Sequence, residues 1–271
     1  MTQSARAAAF RALHARPGGF VIPNPWDAGT ARILAALGFE ALATTSAGLA
    51  FTLGRRDGAG LVSREETLAN ARAIVEATDL PVAADLENCF ADAPGEAAET
   101  IRLAWDVGLV GGSIEDATGN TAAPIYEFDH AVARVAAAVE VARSTGGFLL
   151  TARAENFLYG NPDLADTIKR LQAYEAAGAD VLYAPGLPDL EAVRTVCASV
   201  SKPVNVIAGT KPTDWTVASV IEAGAKRISV GSALNRAALG AFLTAARDLK
   251  GGSFAYAANV TPFAELNAFM A

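Results

Sequence analysis

The chain is short of sulfur, and its positive charge is nowhere concentrated. Its two cysteines, Cys89 and Cys197, are too few for a disulfide framework, which excludes stapled secreted scaffolds and fits a reducing cytoplasm. No run of Lys or Arg makes a basic patch, and a net charge of −7 with a pI near 5.0 argues against a nucleic-acid surface. No window approaches about eighteen uninterrupted apolar residues, so no membrane span is expected. The opening MTQSARAAAFRALHARPGG also lacks the apolar centre of a signal peptide. There are only five lysines. Lys202 and Lys226 precede predicted strands, Lys169 and Lys250 fall on helical patterns, and Lys211 follows the seventh strand, so a Schiff-base aldolase finds no well-placed amine.

What the chain has is alternation. Short apolar or β-branched runs read as strands at Phe20–Pro25, Ala41–Ser46, Pro81–Asn88, Gly111–Ala117, Phe148–Asn156, Ala179–Gly186, Pro203–Gly209 and Lys226–Ala233. Between them lie amphipathic segments at Arg64–Ala77, Glu96–Val107, Asp129–Ser144, Leu164–Ala177 and Asn235–Leu249, several opened by Ser, Asp or Pro and closed by Gly. The phrases AAGADVLYAPG and EAGAKRISVGS repeat one grammar: helix end, Gly, Ala, charge, strand. Eight such units in 271 residues predict a single (β/α)8 barrel of TIM type spanning 1–271, with a doubly wound open sheet as the alternative. One helix is left over at 261–270, where Phe263, Leu266, Phe269 and Met270 form an apolar face that needs a cover from the same or a neighbouring subunit.

Polar residues gather at the ends of the predicted strands: Asn24 and Asp27, Ser46, Asp85 with Glu87, Glu115 with Asp116, Arg153 with Glu155 and Asn156, Asn205, and Ser232. In a barrel that end carries the active site. Asp85 and Glu87, one residue apart, would point to the same side of an extended backbone and repel unless a cation lies between them. With Asp57 and Glu115 they form an all-oxygen set without His or Cys, which suits Mg²⁺ first and Mn²⁺ second. The competing reading pairs these acids with Arg55, Arg56 and Arg153 in ordinary salt bridges. Arg153 has the fork for a bidentate grip on a substrate carboxylate, or else it serves as a partner for Glu155 or Glu115. After the second strand, Ser46 and the amides that follow could cradle an anionic oxygen.

Taken in order, TTSAGLA, GRRDGAG, AADLEN, SIEDA, TARAEN and RISVGSAL resemble the isocitrate lyase and phosphoenolpyruvate mutase superfamily from about Phe10 to Met270. The resemblance implies a Mg²⁺-dependent barrel that breaks a C–C or C–P bond beside a 2-oxo or 2-hydroxy carboxylate through a metal-stabilised enolate. It implies that Asp85 ligates the ion directly while Asp57, Glu87 and Glu115 reach it through water. Ser46 with the amides of Ala47 and Gly48 would hold the substrate carboxylate and oxo group, and Arg153 would pair with the carboxylate. It further implies a homotetramer, a dimer of dimers that exchange their last helices.

The chain departs from that pattern in two places. The loop after the fourth strand, DATGNTAAPIYEF at Asp116–Phe128, has none of the Lys, Cys or His of the isocitrate and methylisocitrate lyases, and YAPGL replaces their Glu after the sixth strand. The same loop lacks the basic residues that phosphonate enzymes use. The expectation is therefore a C–C lyase of oxaloacetate-decarboxylase or substituted-malate type, with Thr118 and Asn120 orienting the leaving group and Asn205 lining the substrate pocket. A C–P bond enzyme and a non-catalytic 2-oxo-acid-binding barrel are the alternatives. Cys89 stands where relatives commonly have Gly and reads as a small-residue replacement. Tyr126 and Tyr159 are secondary candidates for proton donation.

Overall fold

The computed structural model describes residues 1–210 and 212–271; Lys211 lies outside the described residues. All eight predicted strands form: β1 Phe20–Ile22, β2 Leu42–Ala43, β3 Val82–Ala84, β4 Gly111–Glu115, β5 Leu149–Arg153, β6 Val181–Tyr183, β7 Val204–Ile207 and β8 Arg227–Ser229. They make one parallel sheet in the order β1-β8-β7-β6-β5-β4-β3-β2. Each strand thus lies beside the next in the chain and β8 returns to β1, the order of a (β/α)8 barrel. The strands are shorter than the sequence suggests at both ends: Glu115, Arg153 and Asn205 stay within them, whereas Asp85, Glu87, Asp116 and Glu155 lie in the turns that follow.

The remaining seam, β1 to β2, is joined outside the strands. The Ala43 amide donates to the Pro23 carbonyl (3.1 Å), and Asn24 Nδ2 donates to the Thr44 carbonyl (3.0 Å). Asn24 Oδ1 also accepts the amides of Val230 and Gly231, both at 2.9 Å. Asn24 is therefore spent on tying β8, β1 and β2 together. Asp27, another polar strand-end residue, caps α2 (Ala28–Ala36) in a reciprocal capping box with Thr30.

The helices read from sequence are α4 (Arg64–Glu76), α5 (Pro94–Asp106), α6 (Phe128–Ser144), α7 (Leu164–Ala177) and α10 (Ala233–Lys250). The expected last helix forms as α11 (Phe263–Met270), and the structure adds α1 (Gln3–Ala15), α2, α3 (Ser46–Thr52), α8 (Leu190–Ala198) and α9 (Val217–Glu222). Strand alternation separates two apolar layers. On β5, Leu150 and Ala152 face the helices in the main core, whereas Leu149 joins Phe10, Phe20 and Ile22 beneath the barrel. Helix α1 forms this floor. Gly111 makes room for it, since a Cβ there would stand 2.9 Å from Phe10 Cε1 and 2.9 Å from the Leu149 carbonyl.

The tail after α10 continues through a short 3-10 turn (Ala255–Asn259) into α11, which rests on α2 of its own chain, Arg32 Nη1 donating to the Met270 carbonyl at 2.7 Å. Apolar side chains remain in solvent along both helices, with Phe242 65% and Phe263 81% exposed. Among the described residues no helix is long and apolar enough to cross a membrane.

Candidate active site

At the mouth, β5 ends on Arg153, whose guanidinium meets three carboxylates. Nη1 donates to Asp85 Oδ1 (2.8 Å), Nε to Glu155 Oε1 (2.7 Å), and Nη2 lies 3.2 Å from Glu115 Oε2. The Tyr183 ring stands 5.0 Å from the guanidinium carbon. The salt-bridge reading of Arg153 is thus realised in this structure with both of its expected partners, Glu115 and the fully buried Glu155, and with Asp85 besides. Arg55, by contrast, pairs with Glu66, away from the acid cluster.

Asp85 is the hub. Its Oδ2 accepts the Ser46 hydroxyl at 2.9 Å, and its Oδ1 lies 3.4 Å from the Ser113 hydroxyl and from the Glu87 amide. The route by which Glu87 joins it differs from the expectation. β3 ends at Ala84, and the chain then turns, with Glu87, Cys89 and Phe90 all left-handed (φ 49°, 59° and 58°). The two carboxylates converge through this turn and not through strand pleating. Three non-glycine residues in that region within four positions concentrate backbone strain beside the site. It also explains why glycine would suit position 89. The Cys89 side chain is fully buried, and burial pushes its thiol up to about 12, which removes it as an acid/base.

The acids carry the mark of crowding. Burial, then the charges of Asp85 and Asp57, raises Glu87 to about 7. Asp57, on the loop after α3, lines an inner cavity with Asp85 whereas Glu87 and Glu115 line an outer cleft, and it is raised by burial and then by Asp85. Burial pushes Glu115 well above the carboxylate range, against the pull of Arg153. A divalent cation would relieve this repulsion, and the donors are all hard oxygens, so the residues fit Mg²⁺. Among the described residues no three His, Cys, Asp or Glu side chains are brought together closely enough to hold a metal ion as they stand.

Ser46 opens α3, and its predecessor Thr45 caps that helix by accepting the Gly48 amide at 3.3 Å. The expected cradle is therefore a helix start in which the Gly48 amide is already engaged and Ser46 turns both its hydroxyl and its amide to Asp85 Oδ2 (2.9 and 3.4 Å), with Ala47 lining the cavity. The loop after β4 folds into a small hairpin closed by the Ala117–Ile125 bridge. Within it the Thr118 hydroxyl donates to the Ala123 carbonyl (2.6 Å) and Asn120 Oδ1 accepts the Ala122 amide (3.0 Å). Both residues line an outer cleft of about 980 Å³, together with Glu65, Glu96, Glu99 and Tyr159. Asp85, Ser46, Arg153 and Asn205 line an inner cavity of about 420 Å³. Thr118 and Asn120 are not brought against Arg153. Tyr126 is buried under Arg134, 4.3 Å from ring to guanidinium, while Tyr159 faces the acids and its phenol is pushed up to about 12 by burial and then by Glu115. Asn205 is placed in the cavity, but its amide is engaged at both ends, donating to Ser229 and accepting from Arg227.

A closed parallel barrel with an arginine locked among carboxylates at its C-terminal mouth is the framework of a (β/α)8 enzyme. The family model described as phosphoenolpyruvate phosphomutase matches residues 10–250, and the chain belongs to that family, within the isocitrate lyase and phosphoenolpyruvate mutase superfamily. A candidate lyase/mutase from Burkholderia cenocepacia J2315 has a crystal structure that superposes with a TM-score of 0.96 at 54% identity, covering 99% of this chain and 96% of its own. An uncharacterised protein of Mycobacterium tuberculosis is 30% identical over 260 residues, 96% of this chain and 95% of its own. The 2,3-dimethylmalate lyase of Eubacterium barkeri is 32% identical over 184 residues, 65% of this chain and 62% of its own.

Proposed function

We propose that the protein is a Mg²⁺-dependent carbon–carbon lyase acting on a small 2-oxo or 2-hydroxy di- or tricarboxylic acid, of the oxaloacetate-decarboxylase or substituted-malate type. The observation that carries this reading is Arg153, held in one orientation by three carboxylates beside Asp85 and the Ser46 hydroxyl. Mg²⁺, or Mn²⁺ in second place, held by Asp85 with Asp57, Glu87 and Glu115 around it, would supply positive charge beside the substrate's oxo oxygen. Arg153 grips the substrate carboxylate; of its three partners Asp85 is the least buried, so Nη1 is the donor that turns to the substrate. Ser46 and the Ala47 amide hold the oxygen on which negative charge grows as the bond breaks. Tyr159, which keeps its proton across the neutral range, lines the outer cleft beside Glu87 and Glu115 and remains a secondary candidate for returning a proton to the product carbon. The similarity to 2,3-dimethylmalate lyase supports a substituted malate as substrate.

The outer cleft weighs against phosphonates, because Glu65, Glu87, Glu96, Glu99 and Glu115 would face a dianionic group with Arg64 alone to offset them. One observation favours a second reading, a barrel that binds a 2-oxo acid without turnover: Thr118 and Asn120 spend their side chains within their own loop. NMR with Mg²⁺ and a panel of oxaloacetate, substituted malates, methylisocitrate and phosphonopyruvate separates the three. Cleavage of a carboxylic acid that disappears in Asp85→Ala and with chelator is expected; Mg²⁺-dependent line broadening of a 2-oxo acid without product would leave the binder, and cleavage of phosphonopyruvate alone the C–P enzyme. Both cysteines are unpaired, which suits a cytoplasmic home. The exposed apolar faces of α10 and α11 support a homotetramer, while the exchange of last helices rests on the family resemblance alone because α11 here lies on α2 of its own chain; a monomer by light scattering at micromolar concentration would refute the assembly.

A further inference from the structure

The middle of the barrel is unusual for its fold. Where such barrels pack bulky branched side chains in layers, this one carries Ser113, Thr151, Asn205 and Arg227 around the inner cavity. Arg227 is only 7% exposed. Its Nε donates to Asn205 Oδ1 (2.8 Å) and its Nη2 to the Thr151 hydroxyl (3.0 Å), both neutral acceptors. No carboxylate pairs with it among the described residues, and Nη1 has no hydrogen-bond partner among them. A guanidinium offers five N–H donors, and a buried cation without an anion is costly. Burial pulls its pKa to about 10, so it remains charged at neutral pH. Beneath it His14 is held neutral, at about 3, by burial and then by the charge of Arg227 itself, so the floor adds no counter-charge.

The position relative to the mouth is set by the strand. Thr151 and Arg153 are two residues apart on β5 and face the same way, so the Arg227 guanidinium lies one layer below Arg153, ~6.6 Å along the strand. The upper arginine is compensated three times over, and the lower one not at all. The cavity between them is continuous and lined by both. We propose that Arg227, oriented by Asn205 and Thr151, is an internal anion subsite that takes the second carboxylate of a dicarboxylic substrate whose first carboxylate lies at Arg153. This rests on the reading of the upper site as a carboxylic-acid site. Such a substrate enters with a charged end pointing inward and its neutral portion toward the acidic outer cleft. Asn205 acts as a positioning residue for Arg227.

Two measurements on the native protein test this. Crystals soaked in sodium bromide should show an anomalous peak within hydrogen-bonding reach of Arg227; water alone at that position overturns the subsite. With Mg²⁺, oxaloacetate should bind about 10- to 100-fold tighter than its 4-methyl ester, the range of one hydrogen-bonded charge. In Arg227→Gln that ratio should fall to about one while binding of pyruvate, which lacks the second carboxylate, is unchanged. Equal binding of acid and ester by the native protein, with bromide present, makes the subsite a place for free inorganic anions and overturns its role in substrate binding. If neither acid, ester nor pyruvate binds with Mg²⁺, the lyase reading fails, and the bromide result alone decides the subsite.

Discussion

Arg153 and Arg227 are chemically identical and one layer apart, yet their surroundings give them different work. Arg153 needs its planar fork to reach Asp85, Glu155 and Glu115 together, and an ammonium has no such geometry. Arg153→Lys should therefore lower kcat/KM by ~100-fold or more and the melting temperature with it, since one donor cannot satisfy three buried acids. Steady-state kinetics beside a thermal melt checks both; near-normal kcat/KM would remove Arg153 from the substrate. Cys89→Ala should leave turnover within about twofold, because a thiol raised to about 12 carries no proton traffic at neutral pH. A large loss in a folded Cys89→Ala protein would restore it as an acid/base. Asp85, Arg153 and Ser46 were legible in the sequence because charge at the end of an apolar run is conspicuous. Glu155 was legible as a partner of Arg153 but not as a fully buried acid, and Arg227 was not legible at all, because its significance depends on what faces it from other strands and it opens its strand where polar residues draw no notice.

At the level of elements, the eight strands were legible as β-branched or apolar runs bounded by Pro and Gly, and their order followed from alternation with helices. Their lengths were not, since a residue such as Asp85 extends the pattern in sequence while the backbone has already left the sheet. The turn carrying Glu87, Cys89 and Phe90 in left-handed conformations has no glycine to announce it. Helix α3 carries no helical signature in its sequence, because Ser, Ala and Gly suit a turn as well as a helix start. Strand β4 shows how one small residue serves two elements: Gly111 lets α1 approach the floor and β5 lie close. Gly111→Ala should destabilise by ~1–3 kcal/mol through this contact, read as a lower urea midpoint with an unchanged slope. An unchanged midpoint would mean that Phe10 yields freely.

For the whole molecule, the crowded acids link stability to pH. Glu87 has its folded-state pKa raised from 4.5 to about 7, so between those values the folded protein holds more protons than the unfolded chain. Stability is then greatest below pH ~4.5 as far as this group is concerned and is lost as pH rises through about 7. Glu115 and Asp57 are shifted in the same direction. Metal-free protein should accordingly melt at a lower temperature at pH 8 than at pH 5.5, and Mg²⁺ should remove the difference by binding the ionised acids. Melts in chelator and in Mg²⁺ across that range test it; a metal-free protein that gains stability toward pH 8 would contradict the crowding.

The seam at Asn24 has a consequence for the fate of the molecule outside its native state. A ring of strands offers no terminal strand to a neighbour, whereas an opened ring offers two, each with unsatisfied amides and carbonyls. β1 and β2 are those two, and one amide side chain with a single backbone hydrogen bond keeps them joined. Asn24 is thus the side chain whose loss would leave the seam between those two strands resting on the Ala43–Pro23 hydrogen bond alone.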